Sequence, residues 1–137
     1  MSEVLRKKQR FGVMRLSDAA FGGYRLPLAG FVSILHRVSG MVMFGLLPFI
    51  LYLLDNSLTS ETSFAVLQNF TSSVLVKLVI LALTWAYLHH FCAGIRHLLM
   101  DLHFGLDKDQ ARKSALAVLS VSLLLTLAVA LKLFGVF

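Results

Sequence analysis

Three apolar stretches, residues 28–54, 74–100 and 115–137, dominate the chain. Each exceeds the roughly 20 residues that an α-helix rising ~1.5 Å per residue needs to cross a ~30 Å hydrocarbon layer. A soluble domain of 137 residues has no interior large enough to hide three such runs. The composition agrees, with 58% hydrophobic and 15% charged residues, against about a quarter charged in soluble domains. Period-two alternation is absent, which excludes a membrane β-barrel. The expected fold is an all-α integral membrane protein: one membrane-anchor domain over residues 1–137, with an arm at 1–26 and transmembrane spans at about 28–54, 74–100 and 115–137.

Basic residues give the orientation. Arg6, Lys7, Lys8, Arg10, Arg15 and Arg25 precede the first span, and Lys108, Arg112 and Lys113 lie between the second and third. The connection at 55–73 carries Asp55 and Glu61 but no lysine or arginine. By the positive-inside rule, the N-terminal arm and the second connection face the cytoplasm. The formal charge of +6 therefore reflects position relative to the bilayer rather than nucleic-acid binding. The arm has no short signal-type apolar core and is expected to be retained. Pro27 suits the first helical position after a bend at Gly22 and Gly23. The semi-apolar connection at 55–73 fits a short surface helix, although a loop lying on the membrane is the simpler expectation.

No phosphate loop, nucleophile elbow or HExxH occurs in the sequence, so any chemistry belongs inside the membrane. The single cysteine, Cys92, excludes a CxxCH attachment and any Cys-based metal cage. An ionisable side chain at mid-bilayer costs about 2.5–3.5 kcal/mol and requires a partner or a purpose. Lys77 and Lys132 lie close enough to span ends to snorkel. The informative groups are Ser33, His36, Arg37 and Gly40 in the first span, and His89, His90, Arg96, His97 and Asp101 in the second.

His90, Gly94, His97 and Asp101 share one helical face at spacings of +4, +3 and +4. If Asp101 marks the cytoplasmic edge, His97 is about 6 Å and His90 about 16 Å deeper. A mid-membrane histidine beside a glycine suits an axial haem ligand next to a clearance notch. It equally suits a neutral histidine bonded to a neighbouring helix, with Gly94 as a packing notch. His89, about 100° round the helix, reads as a packed side chain. Arg37 needs an anion or dipoles within reach: a propionate, a quinone head group or an acid of another chain. The clusters call for a cofactor or partner chain, because Asp101 is the only acid near them.

Two motifs then carry a resemblance: Ser33-Ile34-Leu35-His36-Arg37-Val38-Ser39-Gly40, and His90-x-x-x-Gly94-Ile95-Arg96-His97-Leu98-Leu99-Met100-Asp101. Together with the Lys7–Arg10 arm, they make the chain similar to the cytochrome b large membrane-anchor subunit of succinate dehydrogenase, the quinone-reducing respiratory complex II. The resemblance implies a hetero-oligomeric helix bundle in a bacterial-type inner membrane. Its expected partners are a small membrane-anchor subunit, an iron–sulfur subunit carrying the clusters and a flavoprotein subunit carrying FAD. It also implies haem b, with His90 as one axial iron ligand and the other ligand coming from the small anchor subunit. His36, Arg37 and His97 would surround the haem propionates, and Ser33 and Arg37 would line the ubiquinone site. Residues 15–20, Arg-Leu-Ser-Asp-Ala-Ala, depart from the R-P-x-S-P-H-like stretch of many members. A different expectation is a small homo-oligomeric transporter or proton channel that uses the His90, His97 and Asp101 stripe.

Overall fold

The computed structural model describes residues 26–135. The basic arm before it, with its Gly22–Gly23 bend, lies outside the described residues, as do residues 136 and 137. Four helices follow in order: α1 (Leu28–Thr59), α2 (Glu61–Ser72), α3 (Val74–Asp101) and α4 (Lys108–Leu133). Three of them, α1, α3 and α4, are long and apolar enough to span a membrane. Among the described residues there is no strand.

The helices outrun the apolar stretches because hydropathy marks membrane contact, whereas helix ends follow local bonding. Helix α1 continues through Thr59 because its polar residues bond back to its own carbonyls. Asn56 Nδ2 donates to Tyr52 O at 2.8 Å, Ser57 Oγ to Leu54 O at 2.7 Å and Thr59 Oγ1 to Asp55 O at 2.7 Å. Helix α4 begins at Lys108, seven residues before its apolar run at 115, and ends at Leu133 rather than 137. Pro27 is the residue flanking α1, one position earlier than expected, with Leu28 opening the helix. Pro48 lies inside α1, where its missing N–H removes one ladder bond.

The first connection is a helix, which overturns the simpler expectation of a loop. Ser60 caps it by accepting a bond from Ser63 N at 3.1 Å, and Glu61 in its first turn suits the helix dipole. The turn after α3 is closed by His103 N–H to Met100 O at 2.9 Å and Phe104 N–H to Leu99 O at 3.0 Å. This pair of bonds is a Schellman cap, with His103 in the left-handed conformation at φ 64°.

The packing is inverted relative to a soluble protein. Phe44 (80% exposed) and Leu75 (72%) point outward, whereas the centre is built from Val32, Ala93, Ala115 and Val118. Lipid tails solvate the large side chains, and small ones let the backbones approach. That centre, where α1, α3 and α4 meet, positions the polar residues of α1 and α3. At the opposite end of the bundle, Lys77 Nζ lies 5.6 Å from the ring centroid of Phe134, tying α3 to α4.

Candidate functional site

Helix α1 contributes His36, Ser39 and Gly40, and α3 contributes His90, Gly94 and His97. The helical period puts each set on the face turned toward the other helix. The His36 and His90 rings stack with centroids 4.1 Å apart and planes at 13°. His97 completes the cluster, its ring centroid 4.9 Å from that of His36 at a tilt of 52°. The structure thus brings together three of the expected site residues. Of the other two, Ser33 is half-buried on α1 and Arg37 is exposed one turn further along.

Hydrogen bonding assigns the His90 tautomer. Its Nδ1 lies 3.0 Å from His36 O and 3.2 Å from Ser39 Oγ. The carbonyl can only accept, and the Ser39 hydroxyl already donates its proton to His36 O at 2.9 Å. Nδ1 must therefore carry a proton and donate, and in the neutral imidazole the lone pair is then on Nε2. Nε2 has no hydrogen-bond partner among the described residues. A carbonyl behind Nδ1–H with a free Nε2 in front is the arrangement of a metal-ligating histidine with its outer support in place.

Clearance for this ring comes from Gly40 of α1. A Cβ added at Gly40 would lie 2.9 Å from His90 Cε1 and 3.4 Å from Nδ1, closer than packed atoms tolerate. A Cβ at Gly94 would meet only His36 Nε2, at an ordinary 3.6 Å. Gly94 thus faces the His36 imidazole across the seam. Ser39 and Gly40 are the site residues that helical spacing within α3 alone does not reveal, because their role is to contact the opposite helix.

The His36 and His90 rings lie against each other rather than facing across a gap. Among the described residues, no group of three or more His, Cys, Asp or Glu side chains could hold a bare metal ion. One turn from His90, Ala86 and Tyr87 border an apolar cavity of about 900 Å³ between α1, α2 and α3.

His89 turns away from this cluster. It is 1% exposed and its ring is 5.5 Å from that of Trp85; among the described residues neither of its nitrogens nor Trp85 Nε1 has a hydrogen-bond partner. Arg96 is also buried and faces α4, where its Nε donates to Ser114 Oγ at 2.9 Å. Asp101 is exposed at the end of α3.

A family model described as succinate dehydrogenase/fumarate reductase transmembrane subunit matches residues 15–129. The chain belongs to that family. It is 35% identical over 102 residues to the succinate dehydrogenase cytochrome b556 subunit of Paracoccus denitrificans, covering 74% of this chain and 78% of that one. The corresponding subunit of Coxiella burnetii is 39% identical over 100 residues, covering 72% and 80%. That of Rickettsia felis is 30% identical over 104 residues, covering 76% and 81%. The family match spans both helices that build the imidazole cluster, so the resemblance carried by the two motifs extends over most of the chain.

Proposed function

We propose that this chain is the haem b-binding membrane anchor of a succinate dehydrogenase, and that it helps to form the ubiquinone-reduction site fed by the iron–sulfur subunit. The observation that carries the reading is the locked tautomer of His90, which leaves Nε2 as a ligand lone pair in a membrane-spanning bundle. A haem would be held through its iron by His90 Nε2. When bound, it would supply a one-electron redox centre within the membrane.

The residues divide the remaining work. His36 O and Ser39 hold the His90 ring, and Gly40 gives it room. The small anchor subunit would supply the other histidine that holds the iron, as the family resemblance implies. His36, Arg37 and His97 would surround the propionates, where the guanidinium can pair a carboxylate. Ser33 and Arg37, four residues apart on one face of α1, would offer a hydroxyl and a cation to the quinone carbonyl oxygens. The iron–sulfur and flavoprotein subunits would dock at the end where α1 begins, in the cytoplasm, with the spans in the inner membrane. A proton relay along His90, His97 and Asp101 is the weaker reading, since the two imidazoles each pack on His36 rather than on one another.

The test is an absorption spectrum of the tagged complex, gently purified from its own membranes, before and after succinate is added. Reduction of a b-type haem together with flavin bleaching is the expected result; an intact preparation with neither signal contradicts the reading. In the same preparation, Ser33→Ala and Arg37→Ala should each depress quinone reduction about tenfold or more, while succinate oxidation with a soluble dye acceptor persists. Unchanged quinone kinetics in both variants would remove these residues from the quinone site.

A further inference from the structure

The face of α3 that carries Arg96 lies about 120° round the helix from His90 and plays no part in the imidazole cluster. Arg96 is only 5% exposed, yet both of its partners are neutral: Ser114 Oγ at 2.9 Å from Nε, and Ala111 O at 3.5 Å from Nη2. These bonds orient the guanidinium without neutralising its charge. Nη1 has no partner among the described residues, and Arg96 lines the cavity between α3 and α4.

That cavity, about 370 Å³, runs between α3 and α4 and is otherwise almost wholly apolar. Cys92 and Leu99 form one wall, Val118 and Val121 the other, with Phe104 and Gly105 of the α3–α4 connection at the mouth. Depth identifies the occupant. The guanidinium bonds to residues in the opening turns of α4, which begins at Lys108, well before the apolar run at 115. It therefore sits at the level where an apolar helix leaves the hydrocarbon, which is where lipid phosphates lie. Below it the groove continues along apolar side chains to Val121, in the direction an acyl chain takes. A cation at phosphate depth above an apolar groove is complementary to a charged amphiphile and to neither half of one alone.

We propose that the α3–α4 groove is a phospholipid site, in which Arg96, held by Ser114 and Ala111, pairs the phosphate while one acyl chain lies between α3 and α4. The site is separate from the haem and quinone reading and does not depend on it.

The test uses the intact complex, purified from its own membranes in detergent, delipidated and titrated with dioleoyl phosphatidylglycerol. Bound lipid is counted by native mass spectrometry, with dioleoylglycerol and inorganic phosphate as controls. The expected result is a tight phosphatidylglycerol adduct that weakens at least about tenfold in Arg96→Gln. Val121→Trp fills the groove while leaving the Arg96 bonds intact, and it should abolish the same adduct. Dioleoylglycerol should bind at least about tenfold more weakly, for want of the phosphate, and phosphate should compete poorly. Undiminished binding in Val121→Trp, or equal binding of the two lipids, overturns the proposal. Displacement by phosphate alone would make this a free-anion site, and a complex that takes up no tight lipid would mean that another polypeptide covers the groove; either outcome overturns it too.

Discussion

Where α3 meets α1, the seam carries two stacked imidazoles, a serine and a glycine notch. Where it meets α4, the seam is closed by Ala93, Ala115 and Val118 and pinned by the Arg96–Ser114 bond. Both seams use small residues to bring backbones together, but for different ends. At Gly40 the missing side chain makes room for a functional ring, whereas at Ala93 and Ala115 it makes room for the neighbouring helix. One helix thus presents an imidazole-bearing face and a packing face, and changes to the two should have separable consequences.

The largest effect is expected from Gly40→Val. Its Cβ alone would lie 2.9 Å from His90 Cε1, so the ring must leave or the helices must part. Haem per complex should fall below about a tenth of wild type, with a stability loss of ~1–3 kcal/mol from overpacking, read from pigment content and thermal unfolding in detergent. The matching change on the other seam is Ala115→Leu, at a fully buried position on α4 packed with Ala93. It should cost a similar ~1–3 kcal/mol, yet the folded fraction should keep its haem. Loss of haem in this variant would erase the distinction between the seams.

Ser39→Ala is milder. It removes one of the two acceptors near Nδ1 but leaves His36 O in place. Haem should be retained, with a stability loss of about 0.5–1.5 kcal/mol. A less basic imidazole should also raise the haem midpoint potential, a shift that a purely structural role for Ser39 would not produce. The smallest effect belongs to Gly94→Ala, whose Cβ meets His36 at 3.6 Å and which should stay within about 0.5 kcal/mol of wild type. A strong effect at Gly94 with none at Gly40 would reverse the assignment of the notch.

These contrasts also show how far the sequence can be read. The three spans are legible because a soluble fold of this length cannot bury three uninterrupted apolar runs. The imidazoles are legible because charge-capable side chains at that depth are expensive. The division of labour between Gly40 and Gly94 is not, since helical spacing reports which residues share a face but not which opposing residue fills the gap between two helices. For the same reason the sequence does not mark Ser39, whose role is to satisfy a ring 51 residues away. The helical form of residues 61–72 is hidden by mixed polarity, which a surface helix and a membrane-lying loop share, and the Ser60 cap decides it. Arg96 is one more buried charge in the sequence; only Ser114 and Ala111 show which helix it faces.

The central claim is that His90, with its tautomer fixed by His36 O, rather than the adjacent and fully buried His89, is this chain's ligand to haem iron. It is tested most directly by the reduced-minus-oxidised absorption spectra of complexes carrying His90→Leu or His89→Leu, since leucine preserves apolar bulk at either position. The b-type haem signal should be lost in His90→Leu and retained in folded His89→Leu. A His90→Leu complex with the wild-type haem spectrum would contradict the claim.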